Sequence, residues 1–169
     1  MKIRISSPKH KIDFHSELEP DIWEQETLKP DVRSALLRIV EEFFRSLDVS
    51  AEIKDIRFTG SLANYNYSEL SDIDLHIVVD FSEVGAETKL VKEFFDSKRI
   101  IWNQKHNIRI KDHEVEVYVE NVGERHFSTG VYSLTSNAWV VKPEAKRPVI
   151  DFRAAIKKAS SLMNEIDTA

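Results

Sequence analysis

Between residues 31 and 48 apolar side chains return every three or four positions: Val32, Leu36, Leu37, Val40, Phe43, Phe44 and Leu47. That period matches one face of an α-helix, and Pro30 stands where such a helix would begin, so an amphipathic helix is predicted there. The period then drops to two. Residues 53–59 alternate apolar and polar side chains and stop at Gly60, which predicts a strand. Residues 71–79 predict a second strand, with Ile73, Leu75, Ile77 and Val79 on one face and Asp72, Asp74 and His76 on the other. Gly85 opens a second helix over roughly residues 86–105, its buried stripe formed by Leu90, Val91, Phe94, Phe95, Ile101 and Trp102. Residues 107–110 and 113–120 are β-rich runs joined by Lys111 and Asp112, a tight hairpin. In the second run Val115, Val117 and Val119 share a face, and Glu114, Glu116, Tyr118 and Glu120 share the other. Residues 130–142 are expected to be extended in part, and Asp151 to cap a last helix running to about residue 166. At the start, residues 2–5 suit a short edge strand, and residues 6–29 read as irregular chain anchored by Trp23. Helices interspersed with hairpins predict an α/β or α+β fold, a β-sheet flanked by helices.

Composition narrows this picture without redirecting it. A chain of 169 residues, 41% hydrophobic and 31% charged, fits one domain with its own core; that core is expected over residues 30–120, with residues 121–169 of unassigned role. A net charge of −5 argues against a broad surface for long nucleic acid. With no cysteine there are no disulfides, thiolate zinc sites or cysteine nucleophiles. The basic N-terminus lacks the apolar run of a secretory signal, and no apolar stretch approaches the roughly 20 residues of a membrane helix, so a soluble, cytoplasmic protein is expected.

The chemistry concentrates in residues 59–80. Asp72 and Asp74 lie one residue apart, so a strand sets both on one face, roughly 6.6 Å apart along its length. Neighbouring carboxylates repel and raise each other's pKa unless a cation lies between them, and hard oxygen ligands suit Mg²⁺. Just upstream, Gly60 permits close backbone approach and Ser61 offers a hydroxyl to an incoming phosphate. A third carboxylate on a neighbouring strand would complete the ligand set, and Glu116 and Glu114 are both candidates.

Phe58, Thr59, Gly60 and Ser61, ten further residues, then Asp72, Ile73, Asp74 and Leu75 resemble the signature of the nucleotidyltransferase superfamily typified by DNA polymerase beta. The segment is also similar to minimal nucleotidyltransferases and to those predicted in bacteriophage genomes. The resemblance implies a nucleotidyltransferase-type mixed sheet flanked by helices. It implies Gly60 and Ser61 on the phosphates of an NTP, and Asp72 and Asp74 as ligands of Mg²⁺ or Mn²⁺. The family's third acid lies between apolar residues on a strand; Val115, Glu116 and Val117 fit that context, with Glu114 as the substitute. The implied activity moves an NMP from an NTP to a hydroxyl acceptor and releases pyrophosphate. The acceptor stays open among a protein side chain, an RNA end, a nucleotide and a small molecule, and the setting implied is the cytoplasm of a bacterium or phage-infected host. Two features depart from many relatives: Asn64 and Tyr65 stand where an Arg-Gly pair is common, and the third acid is Glu rather than Asp. They motivate the alternative, a catalytically weak or inactive nucleotide-binding or regulatory domain.

Other residues read more plainly. His76 shares the metal face but suits a hydrogen-bonded strand histidine equally well. Tyr65 and Tyr67 suit loop packing over base stacking. Lys89, Lys92, Lys98 and Arg99 offer a triphosphate clamp, though cations on an amphipathic helix ordinarily face water. His126, Phe127 and Ser128 resemble one half of a two-histidine phosphoesterase site; with no second copy in the chain, they are set aside.

Overall fold

The computed structural model describes residues 14–146, Arg153, residues 156–161 and Met163. The suggested edge strand at residues 2–5 and the proposed cap at Asp151 lie outside the described residues, while those described between 153 and 163 are helical.

Residues 14–29 depart from the irregular chain expected of them. They hold a two-stranded hairpin, β1 (Trp23–Glu24) with β2 (Thr27–Leu28), because Leu18, Ile22, Trp23 and Leu28 all find apolar partners. Trp23 is the anchor: its indole N–H donates to the Leu62 carbonyl at 2.7 Å, and its ring stacks on Phe58 and Trp139.

Helix α1 (Pro30–Arg45) begins at the proline, whose missing N–H costs nothing in the first turn. It buries Val32, Leu36, Ile39, Val40 and Phe43. Strands β3 (Ile53–Thr59) and β4 (Ile73–Val79) follow and pair antiparallel. A short 3₁₀ turn capped by the Asp80 side chain leads into α2 (Thr88–Lys105). The helix buries a narrower stripe than expected. Val91 and Phe95 are buried and Phe94 and Trp102 partly so, but Leu90 is 65% and Ile101 48% exposed. Those two lie about 100° round the helix from Val91 and Trp102, beyond the strip that faces the sheet.

Strand β5 (Arg109–Ile110) turns into β6 (His113–Asn121) through Lys111 and Asp112, both at positive φ, as a two-residue hairpin of matching twist requires. Strand β6 then pairs parallel with β4, so β4, α2 and β6 form a strand–helix–strand crossover. Strands β7 (Val131–Ser133) and β8 (Ala138–Val141) complete a six-stranded sheet in the order β5-β6-β4-β3-β7-β8. This is a mixed sheet with helices, the expected α/β architecture. Among the described residues no helix is long and apolar enough to cross a membrane.

Period-two alternation decides what the sheet presents. Ile56, Phe58, Ile73, Leu75, Ile77, Val79, Val115, Val117 and Val119 join the buried side chains of both helices in one core. The opposite face carries polar groups in rows set by the register. Thr59, Asp74 and Glu116 form the first row, and Arg57, His76 and Tyr118 the second, which Ser133 extends on β7.

Candidate functional site

The site begins where β3 ends. Gly60 has φ of +82°, a conformation that side chains resist, and a Cβ added there would collide with a carboxylate oxygen of Asp74. Glycine at 60 thus serves two ends: it turns the chain out of β3 and leaves room for the carboxylate. Ser61 starts a short 3₁₀ turn, and its hydroxyl lies 2.7 Å from that of Ser71, ten residues on. The Ser71 oxygen also accepts from the Ser68 N–H at 2.9 Å. Its backbone carbonyl lies 2.7 Å from His113 Nδ1; a carbonyl can only accept, so Nδ1 carries the proton. Ser71 is therefore held from β3's exit and from β6's entry, which fixes the chain immediately before Asp72.

Asp72 is exposed and precedes β4, whose first residue is Ile73 rather than the expected Ser71. Asp74 is half-buried on the strand. Its register partners are Thr59 on one side and Glu116 on the other. Parallel pairing of β4 with β6 thus brings two acids 42 positions apart in sequence into one row. Glu114 stands two residues earlier on β6, opposite Arg109 of β5, on the same face but at the start of the strand. The hydroxyl of Tyr118 donates to Glu116 Oε2.

Burial pushes the Asp74 carboxyl above the ordinary carboxylate range; the charges of Glu116 and Asp72 push the same way, against the pull of His76. Burial likewise raises the Tyr118 phenol, reinforced by its bond to Glu116 and that carboxylate's charge, so it stays a donor. Among the described residues no Lys or Arg forms an ion pair with Asp72, Asp74, Glu114 or Glu116. Asp74 and Glu116 thus stand side by side at one end of the sheet face, with exposed Asp72 just before the strand, and no Lys or Arg among the described residues is ion-paired with them. Such a set suits a hard divalent cation completed by water and phosphate oxygens.

A family model of the nucleotidyltransferase domain matches residues 36–131, more than half of the chain. The chain belongs to the nucleotidyltransferase domain family. The match runs from the second turn of α1 to the first residue of β7, and so takes in Gly60, Ser61, Asp72, Asp74, Glu114 and Glu116. No curated protein and no solved structure matches the chain. The nucleotidyltransferase domain therefore includes the whole β4–α2–β6 crossover, while the β1–β2 hairpin and β8 lie beyond the matched span.

Other sequence readings sort by contact. Tyr65 and Tyr67 are buried in the loop after Gly60, with Tyr67 stacked on His15, so they pack rather than project. Lys92 pairs with Glu124, and Lys98 lies over Phe94. Arg99 pairs with Asp96 and lies over the Tyr118 ring, 4.8 Å from its centre. Two residues that position the site escaped the sequence reading. Tyr118 carried a signal, since it follows Glu116 by two on the polar face of β6. His113 carried none, because its role depends on the pairing that brings Ser71 alongside.

Proposed function

We propose that this nucleotidyltransferase domain transfers an NMP from an NTP to a hydroxyl acceptor and releases pyrophosphate. The single observation behind the reading is the first row of the sheet face: Asp74 beside Glu116, with Gly60 packed against the Asp74 carboxylate. Asp72, Asp74 and Glu116 would hold divalent metal, Mg²⁺ or Mn²⁺, with Glu114 next in line. When bound, the metal supplies charge neutralisation of the triphosphate and of the departing pyrophosphate.

The chain's own groups do the remaining work. The turn at Gly60 and Ser61 lets backbone N–H groups approach the β- and γ-phosphates. Glu116 takes the proton of the acceptor hydroxyl, and the Tyr118 hydroxyl holds that carboxylate in place. The acceptor oxygen attacks the α-phosphorus in line. One P–O bond forms, the bond from the α-phosphorus to the bridging oxygen breaks, and that oxygen leaves with pyrophosphate. Fixing Asp74 and Glu116 on two paired strands pre-arranges the charges that the transition state needs.

A second reading rests on a specific feature: the hydroxyl of Ser61 and one oxygen of Glu116 already have partners within the protein. Under it the domain binds nucleotide without transferring it. Pyrophosphate release with each NTP and Mg²⁺ or Mn²⁺, across protein, RNA, nucleotide and small-molecule acceptors, separates the two. Metal-dependent release that Asp74→Asn abolishes supports transfer. An NTP-dependent rise in melting temperature without release supports the binding domain, and neither signal would sink both.

A further inference from the structure

Below the first row, the same sheet face holds a different donor set. Glu120 ends the polar side of β6 and is only 8% exposed. Its two oxygens have separate duties. Oε1 accepts from Arg57 Nη1 at 3.0 Å, and Arg57 is itself paired through Nε with Asp55 at 3.0 Å. Oε2 faces two histidines, with His76 Nδ1 at 3.2 Å and His126 Nε2 at 2.8 Å. The three donor atoms lie within 4.8 Å of one another. His126 Nε2 is buried, and despite its closeness to Glu120 it is not aligned for a hydrogen bond, so it has no hydrogen-bond partner. A buried ring nitrogen 2.8 Å from a carboxylate oxygen yet hydrogen-bonded to nothing is a coordination donor in waiting.

We propose that His76, Glu120 and His126 form a second metal site, for a borderline-soft dication of the Zn²⁺ type, which staples the loop of residues 122–130 to the sheet. Two imidazoles and one carboxylate form a donor set typical of zinc, leaving a fourth position open. A tetrahedral ion about 2.0–2.1 Å from each donor spaces the donors by roughly 3.3 Å, close to the separations from Glu120 Oε2. Arg57 does not oppose the ion, because Asp55 balances its charge and it engages the other carboxylate oxygen. The donors also differ in kind from the all-oxygen set of Asp72, Asp74 and Glu116, so hard and borderline metals sort between the two places.

The loop is prepared for this role. Its far end is already fixed, since Gly130 packs so closely against the Ala63 carbonyl that no side chain would fit, and Asn64 Nδ2 donates to Thr129 Oγ1 at 2.6 Å. His76 stacks on Tyr118, with ring centres 4.9 Å apart, and Tyr118 holds Glu116. An ion on His76 therefore steadies the ring that positions Glu116, which couples the two ends of the face.

The test uses the full chain, free of tags and stripped of metal, titrated with Zn²⁺ by calorimetry and with Co²⁺ by visible absorption. The wild type should bind one Zn²⁺ per chain, and Co²⁺ should give the intense visible band of a four-coordinate site. His126→Ala, on a loop where truncation leaves the sheet intact, should bind Zn²⁺ at least ~10-fold more weakly and lose the band; His76→Gln should do the same. Asp74→Asn should bind Zn²⁺ as the wild type does, which keeps this test independent of the transfer reaction. Equal Zn²⁺ binding by wild type and both histidine variants would overturn the proposal. So would an absent Co²⁺ band, or binding lost in Asp74→Asn and kept in His126→Ala.

Discussion

The two ends of the polar sheet face treat charge in opposite ways. At the Asp74 end, acids stand beside acids with no Lys or Arg ion-paired to them among the described residues, and burial pushes the Asp74 carboxyl up. At the Glu120 end, burial alone would raise the carboxyl, yet the His76 hydrogen bond and the charges of His126, His76 and Arg57 hold it below its ordinary value. Burial is similar in kind at both, so it does not explain the difference; the supply of partners does. A buried carboxylate with partners adds to the stability of the fold. One without them subtracts from it, and is tolerated where a ligand supplies the missing charge.

The hardest blow to this contrast would come from Asp74→Asn. Under the proposed function it should cut pyrophosphate release by roughly 10³-fold or more, and with metal removed it should raise the melting temperature. A variant that keeps its rate would break the comparison. Gly60→Ala should cost at least about 1–3 kcal/mol in denaturant unfolding, from the strained φ and the collision with Asp74, and should lower the rate as well. Glu120→Gln should move stability opposite to Asp74→Asn, with a loss of about 1–3 kcal/mol as Arg57 and the histidines lose their charged partner.

Melting curves against pH in EDTA sharpen the contrast further. Glu120 titrates lower in the folded chain than in the unfolded one. Its stabilising contribution is complete above the ordinary value of about 4.3 and is lost as pH falls through the lower folded value. Asp74 titrates higher when folded. Its contribution is complete below about 3.9 and is lost as pH rises through the raised folded value. Asp74→Asn should therefore gain on the wild type as pH climbs out of the acid range, and Glu120→Gln should fall behind it. The smallest effect is expected from Tyr118→Phe, which frees Glu116: about a 10-fold loss of rate with little change in folding.

Where spacing within one element sets the outcome, the sequence was readable. The boundaries of β3, the start of α1 and the Lys111–Asp112 turn follow from period, proline and hairpin length. The resemblance to nucleotidyltransferases is matched by the family assignment over residues 36–131, and the geometry sets Gly60 against Asp74. What escaped depends on pairing between distant strands. A run of acids along one face of β6 fits a solvated strand by pattern alone, yet Glu120 is buried, with Arg57 and His76 from the neighbouring strands and His126 from the loop gathered around its carboxylate. Leu90 and Ile101 were expected inside because apolar character alone does not say how wide a strip the sheet covers. His126 has no second motif copy to pair with; its partners come instead from β4 and β6, which no local pattern announces.

The crossover between β4 and β6 also has a consequence for when the site exists. Asp74 and Glu116 meet only after α2 has formed and β6 has docked, a long-range closure that is slow compared with local hairpins. A chain emerging from the ribosome has both motif aspartates early, but not the third acid or the tyrosine that steadies it. The acids of the nascent domain stay apart, each free in water, until synthesis passes residue 121 and the parallel ladder closes.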